Sequence, residues 1–94
     1  MDRSSKEKYL VRMGHNVKVL RRKAKLSQDA MAKATGYHRT HISQVERGLT
    51  NSTILSLKDL ADGMQVSVSD ILDGVFDSPN KQDEYFCSNG DFNG

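Results

Sequence analysis

Residues 36–48 read Gly36-Tyr37-His38-Arg39-Thr40-His41-Ile42-Ser43-Gln44-Val45-Glu46-Arg47-Gly48. At about 100° per residue, as a 3.6-residue turn requires, Ile42 and Val45 fall together on one side of a helix. Thr40, Ser43, Gln44 and Arg47 fall on the other, with Arg39 at the leading edge. A helix that merely faces solvent usually carries Lys and Glu, which favour helix formation. This face carries short or fork-shaped hydrogen-bonding groups instead, the kind that meet base edges and phosphates in the DNA major groove. An ordinary polar surface helix fits the same thirteen residues, so the flanking sequence has to decide.

Toward the N-terminus, Gly36 suits the left-handed residue that ends a helix. The helix it ends covers about Gln28 to Thr35, with Ser27 as cap, Asp29 at the positive end of the dipole, and Met31, Ala32 and Ala34 as small inward residues. Tyr37-His38 is a short turn, His38 caps the next helix, Arg39 to Arg47, and Gly48 closes it. Two short helices joined through a Gly-containing turn form a helix-turn-helix unit.

Further back, Leu10, Met13, Val17, Leu20 and Ala24 make one apolar stripe down a first helix from about Glu7 to Lys25. Gly14 lies inside it at a cost of up to about 1 kcal/mol relative to Ala, which allows the helix to start after it. Residues 1–7 are expected to be a flexible extension. Lys18, Arg21, Arg22, Lys23 and Lys25 gather toward the end of that helix. The helix dipole explains such cations as well as phosphate attraction does.

Toward the C-terminus, Asn51 or Ser52 caps a fourth helix, Ser52 to Gly63, with Ile54, Leu57, Leu60, Ala61 and Met64 on its packed side. Ser67 caps a short fifth helix, Val68 to about Asp73. Val68, Ile71, Leu72, Val75 and Phe76 supply more apolar surface than a small core needs, which makes them the natural dimer face. Ordinary core is the alternative for some of them, Leu72 above all.

The chain has 94 residues, 36% of them hydrophobic, which allows one small domain. Residues 1–72 carry 13 Lys/Arg against 7 Asp/Glu, whereas residues 73–94 carry 1 Lys against 5 acids. A basic body with an acidic tail fits a polyanion-binding domain with an appendage. The body is expected to be residues 8–76, and residues 77–94 an acidic, disordered tail. Tyr85, Phe86 and Phe92 are unusual in a simple spacer and suit docking on the body or on a protein partner. Cys87 is the single cysteine, so no internal disulfide is expected. No apolar run approaches the roughly 20 residues of a membrane span, and the start Met1-Asp2-Arg3-Ser4-Ser5 offers no apolar signal core. A cytoplasmic protein without a membrane partner is expected.

The segments L-S-Q-D-A-M-A, G-Y-H-R-T-H-I-S-Q-V-E-R-G, L-x-x-L-A and V-S-V-S-D-I-L occur in that order between about Val17 and Leu72. Together they resemble the lambda-repressor/Cro-type helix-turn-helix domain, an all-α, compact bundle of five helices. Within that family the recognition stretch is similar to controller proteins of restriction-modification systems and to small phage repressors. The resemblance implies that Gln28 holds a backbone phosphate and that Arg39, Thr40 and Gln44 read bases. It implies phosphate or second-line contacts for Ser43 and Arg47, with Thr50 and Asn51 near the backbone. It also implies an ion pair between Arg21 and Glu46. Two residues depart from the pattern: Lys25 stands where relatives often have Gly, and Ser52 where many have Pro.

Arg39 is the expected source of specificity, because a guanidinium gives two parallel hydrogen bonds to guanine O6 and N7. Gln44 suits adenine or guanine edges, the Thr40 methyl suits thymine, and His41 on the flank is placed to reach a base or a phosphate. One such helix contacts too few base pairs to mark a genomic site. A homodimer on a near-palindromic stretch of double-stranded DNA is therefore expected, its recognition helices about 34–36 Å apart or a multiple of that.

Enzyme readings fare poorly. His38 and His41 lie three apart, but H-R-T-H lacks the Glu and the spacing of H-E-x-x-H, and a third ligand, His15 or Cys87, would have to come from elsewhere. There is no Gly-rich phosphate loop and no nucleophile motif, so no metal or cofactor is expected. The stronger rival is an antitoxin or bridging module of the same fold that holds a protein partner with its tail.

Overall fold

The computed structural model describes residues 3–76, and all regular structure among them is helical. In order the elements are α1 (Arg3–Lys23), α2 (Gln28–Thr35), α3 (Arg39–Glu46), α4 (Ile54–Met64) and α5 (Val68–Ile71). The acidic tail with Tyr85, Phe86, Cys87 and Phe92 lies outside the described residues.

Local chemistry sets most of these boundaries. The Ser27 hydroxyl accepts from Ala30 N at 3.0 Å and starts α2. Gly36, at φ 80°, ends it. His38 Nδ1 accepts from Thr40 N at 3.1 Å and starts α3. At α5, Ser67 and Asp70 form a reciprocal capping box, which suits a helix of a single turn. Thr53, rather than Asn51 or Ser52, caps α4, so that helix starts at Ile54 and the preceding loop is longer than the sequence suggests. The last helix ends at Ile71, short of Asp73.

The first helix departs most from expectation. It begins at Arg3, so most of the segment read as a flexible extension is helical. Residues 3–10 contain neither Gly nor Pro, and Lys6, Glu7, Lys8 and Leu10 all favour helix. The helix also runs straight through Gly14, which is buried. A Cβ there would overlap the carbonyl oxygens of Val45 and Glu46. Glycine is thus what lets α1 lie against the end of α3, and that contact offsets its poor helix propensity. Beyond α1, Lys25 takes the left-handed conformation at φ 62°, with Leu26 N donating to Arg21 O at 3.1 Å. The turn keeps the geometry that glycine adopts without strain.

The largest fully enclosed side chains are Val17 from α1, Met31 from α2, Ile42 and Val45 from α3, Leu60 from α4 and Ile71 from α5. Every helix therefore contributes to one core, and each of these residues adds about 1.5–3 kcal/mol by leaving water. Met13, Leu57, Ala61, Met64 and Val75 complete it. Asn16, on the stripe between Met13 and Leu20, donates to the carbonyl oxygens of Ile71 and Asp73, both at 2.8 Å. It ties the end of α5 to α1.

This packing corrects part of the expected dimer face. Ile71 and Val75 belong to the core, and Val68 and Leu72 are half-buried against it. The outward side of this single turn is polar, formed by Ser69 and Asp70. Of the five residues, only Phe76 is exposed, its ring 5.1 Å from that of Tyr9. Exposed apolar surface lies at Val11, Leu49, Ile54, Leu55 and Phe76. Ile54 and Phe76, with Leu72 and Val75 of the expected face, line a groove of about 520 Å³ together with Tyr9, Leu10, Met13 and Leu57.

Candidate nucleic-acid interface

The fold holds α3 by one side and leaves the other to solvent. Ile42 and Val45 are wholly buried, while Arg39, Thr40, Gln44 and Arg47 are exposed. Ser43 is half-buried between the two sides. Gln28, at the start of α2, joins Arg39, Thr40 and Ser43 around one shallow cleft of about 220 Å³. Four of the expected DNA-contacting residues, drawn from two helices, are thereby brought together. Thr50 and Asn51 follow in the loop to α4; Thr50 is half-buried, and Asn51 is exposed on the rim of the apolar groove.

Behind this face lies a buried charged pair with further polar partners around it. Arg21 Nε donates to Glu46 Oε2 at 2.5 Å and Nη2 to Oε1 at 3.1 Å, a bidentate pair. Arg21 Nη1 donates to the Leu26 carbonyl at 2.7 Å. Gln28 Nε2 donates to Glu46 Oε1 at 3.2 Å. Burying two charges is costly unless they are paired and their remaining donors are satisfied. Here one guanidinium, one carboxylate and one amide share those partners, joining α1, α2 and α3 at a single point. The Gln28 amide has a second N–H, so its bond to Glu46 orients the group without using up its donors.

The turn between α2 and α3 is held from the far side. Tyr37 donates its hydroxyl proton to Asp59 Oδ2 at 2.7 Å, pinning the turn to α4. The Tyr37 ring lies 5.0 Å from that of His41, tilted at 37°. His41 is half-buried, and its Nε2 is buried without a partner. This argues against the expected base contact from His41: its ring lies beside Tyr37, and its Nε2 is enclosed.

The sequence accounts for Asp29 through the dipole of its own helix, yet in the structure Asp29 meets the main candidate for specificity. Arg39 Nε lies 3.2 Å from Asp29 Oδ1, and both side chains are well exposed, at 63% and 71%. Nothing in the spacing of residues 29 and 39 announces the contact, which depends on the angle the turn sets between two helices. Tyr37 left a faint signal, as an aromatic in a turn otherwise built of small and polar residues.

Among the described residues, no group of three or more His, Cys, Asp or Glu side chains is placed to hold a metal ion. No helix there is long and apolar enough to cross a membrane.

Comparison with known proteins adds relatives to this geometry. A family model described as helix-turn-helix, HTH_3, matches residues 17–71. The chain is 38% identical over 60 residues to the control protein C.SmaI of Serratia marcescens, covering 64% of this chain and 71% of that protein. It is 30% identical over 67 residues to the HTH-type transcriptional regulator y4dJ of Sinorhizobium fredii, covering 71% of this chain and 87% of that one. Among solved structures, the restriction-modification controller protein C.AhdI from Aeromonas hydrophila superposes with a TM-score of 0.64 at 29% identity. That match covers 66% of this chain and 94% of C.AhdI.

Proposed function

The chain belongs to the helix-turn-helix HTH_3 family of transcriptional regulators, and from that premise we propose that it binds double-stranded DNA in a sequence-selective way, as a homodimer, to control transcription. The observation that carries this reading is the outward side of α3. Arg39, Thr40 and Gln44 stand free of the core on a helix fixed from behind by Ile42, Val45 and Glu46. In the proposal these three read bases in the major groove. Gln28, Ser43, Arg47, Thr50 and Asn51 hold phosphates on either side and set the helix in register. The likeness to control proteins of restriction-modification systems supports a small operator-binding switch of that type.

A second copy is needed because one recognition helix covers too few base pairs. The exposed apolar residues Ile54, Leu55 and Phe76, beside the groove that Leu57, Leu72 and Val75 help to line, are the surface proposed for that contact. Such a dimer on a near-palindromic operator places the two α3 helices about 34–36 Å apart or a multiple of it. The body through Phe76 is proposed to carry the activity, with residues 77–94 as an appendage to it.

Titration with duplex DNA tests this at two salt concentrations. Binding should weaken steeply as salt rises, because phosphate contacts release counterions. Failure to associate with any duplex in dilute buffer ends the reading. Removing residues 78–94 should leave operator affinity unchanged, and sedimentation should show Phe76→Ser shifting the protein toward monomer.

A further inference from the structure

We propose that Asp29 is a specificity-determining residue that aims Arg39 at guanine. The proposal rests on the DNA-binding reading above and deepens it. The Asp29 carboxylate sits opposite Nε of Arg39, at 3.2 Å. A guanidinium has five N–H donors in a fixed planar fork. A carboxylate kept beside the Nε edge leaves Nη1 and Nη2 as two parallel donors for another partner. Two parallel donors are what guanine O6 and N7 accept.

The ordinary explanation for Asp29 is the dipole of α2, whose first turn it occupies. That explanation requires a negative charge, but not a contact with the first residue of the next helix. Nor does folding explain the contact, since exposed pairs of this kind contribute little to stability. On a surface facing phosphates, a carboxylate repels DNA and should be a handicap. It stops being one if it holds a flexible side chain in the geometry that guanine needs, so that less freedom is lost on binding. The same contact draws Arg39 away from the nearest phosphates, where it would bind every sequence equally. Asp29 therefore lowers affinity for DNA in general and raises preference for guanine at one position.

The test uses the full chain with Asp29→Ala, Asp29→Asn and Arg39→Ala, and the double variant Asp29→Ala/Arg39→Ala. Three duplexes are titrated at one stated salt concentration: the sequence selected from a random pool, the same with the Arg39-dependent guanine replaced, and an unrelated sequence. Asp29→Ala and Asp29→Asn lose the same charge, so both should bind the unrelated duplex about two- to fivefold more tightly. Only Asp29→Asn keeps an acceptor oxygen for Nε. Wild-type guanine preference of about tenfold or more should fall to about threefold or less in Asp29→Ala and stay intermediate in Asp29→Asn. In the Arg39→Ala background, removing Asp29 should change preference by less than about twofold. Full guanine preference in Asp29→Ala overturns the proposal, as does an equal loss in the Arg39→Ala background. If wild type and Arg39→Ala show the same base preferences while both bind DNA, readout by Arg39 itself fails, and the role of Asp29 goes with it.

Discussion

Two arginine–carboxylate pairs bracket the recognition helix, and they live in opposite surroundings. At its C-terminal end, Glu46 meets Arg21 in the interior, where both side chains are at least nine-tenths buried. At its N-terminal end, Arg39 meets Asp29 in open solvent. The functional groups are the same, and burial decides what each pair does. Charges taken out of water cannot part without leaving one of them uncompensated, so the inner pair fixes where α3 lies. Charges left in water add almost nothing to folding stability, so the outer pair can orient Arg39 without fixing the fold. One end of α3 is therefore an anchor and the other, in the proposed reading, a reader, and Gln28 connects them, donating to Glu46 behind while lining the cleft in front.

The largest expected effect comes from breaking the anchor. Glu46→Ala should cost about 3–5 kcal/mol in a urea titration, because the Arg21 charge is left buried and unpaired. Removing both partners together should cost clearly less than the sum of the single changes. Additive losses would show that the two residues do not act as a pair. Gly14→Ala strikes the same junction by another route. Its Cβ meets backbone oxygens of α3, which cannot swing aside, so a loss of about 1–3 kcal/mol is expected. A wild-type melting curve for Gly14→Ala would mean that α1 and α3 are not so closely packed.

At the reader end the same measurement should barely move. Arg39→Ala is expected to change folding stability by no more than about 0.5 kcal/mol, yet to lose about 1–3 kcal/mol of discrimination at one operator position. Unfolding on that change would erase the distinction between the two ends. The smallest effect is a gain. Lys25 holds a left-handed conformation that costs a side chain about 1–2 kcal/mol. Glycine gives back part of that in unfolded-chain entropy, so Lys25→Gly should raise stability by about 0.5–1 kcal/mol without touching either pair. A loss would indicate that the Lys25 side chain is doing something its φ value does not reveal.

The anchor and the reader were not equally legible in the sequence. Caps and periodicity carried the boundaries of α2 and α3, because Ser27, Gly36 and His38 act on atoms within a few residues. The outward placement of Thr40 and Gln44 followed from the 100° rule alone. The Arg21–Glu46 pair came from family resemblance, since its partners are 25 residues apart and no local pattern joins them. What escaped depends on how helices meet. Gly14 looks like a weak point until α3 is laid across it. Asp29 and Arg39 look independent until the turn brings them together. His41 sits at the edge of the polar arc, where a small rotation decides between DNA and Tyr37. Ile71 and Val75 looked surplus because apolar count cannot say how much of a one-turn helix the core will absorb.

The central claim is that the outward side of α3 reads base sequence, with Arg39 as the main discriminator. Selection of bound duplexes from a random pool, run on wild type and on Arg39→Ala at one salt concentration, measures this directly. Wild type should enrich a near-palindromic motif, and Arg39→Ala should enrich the same motif with one guanine per half-site relaxed. Identical motifs from the two proteins, or no enrichment by wild type over the starting pool, would contradict it.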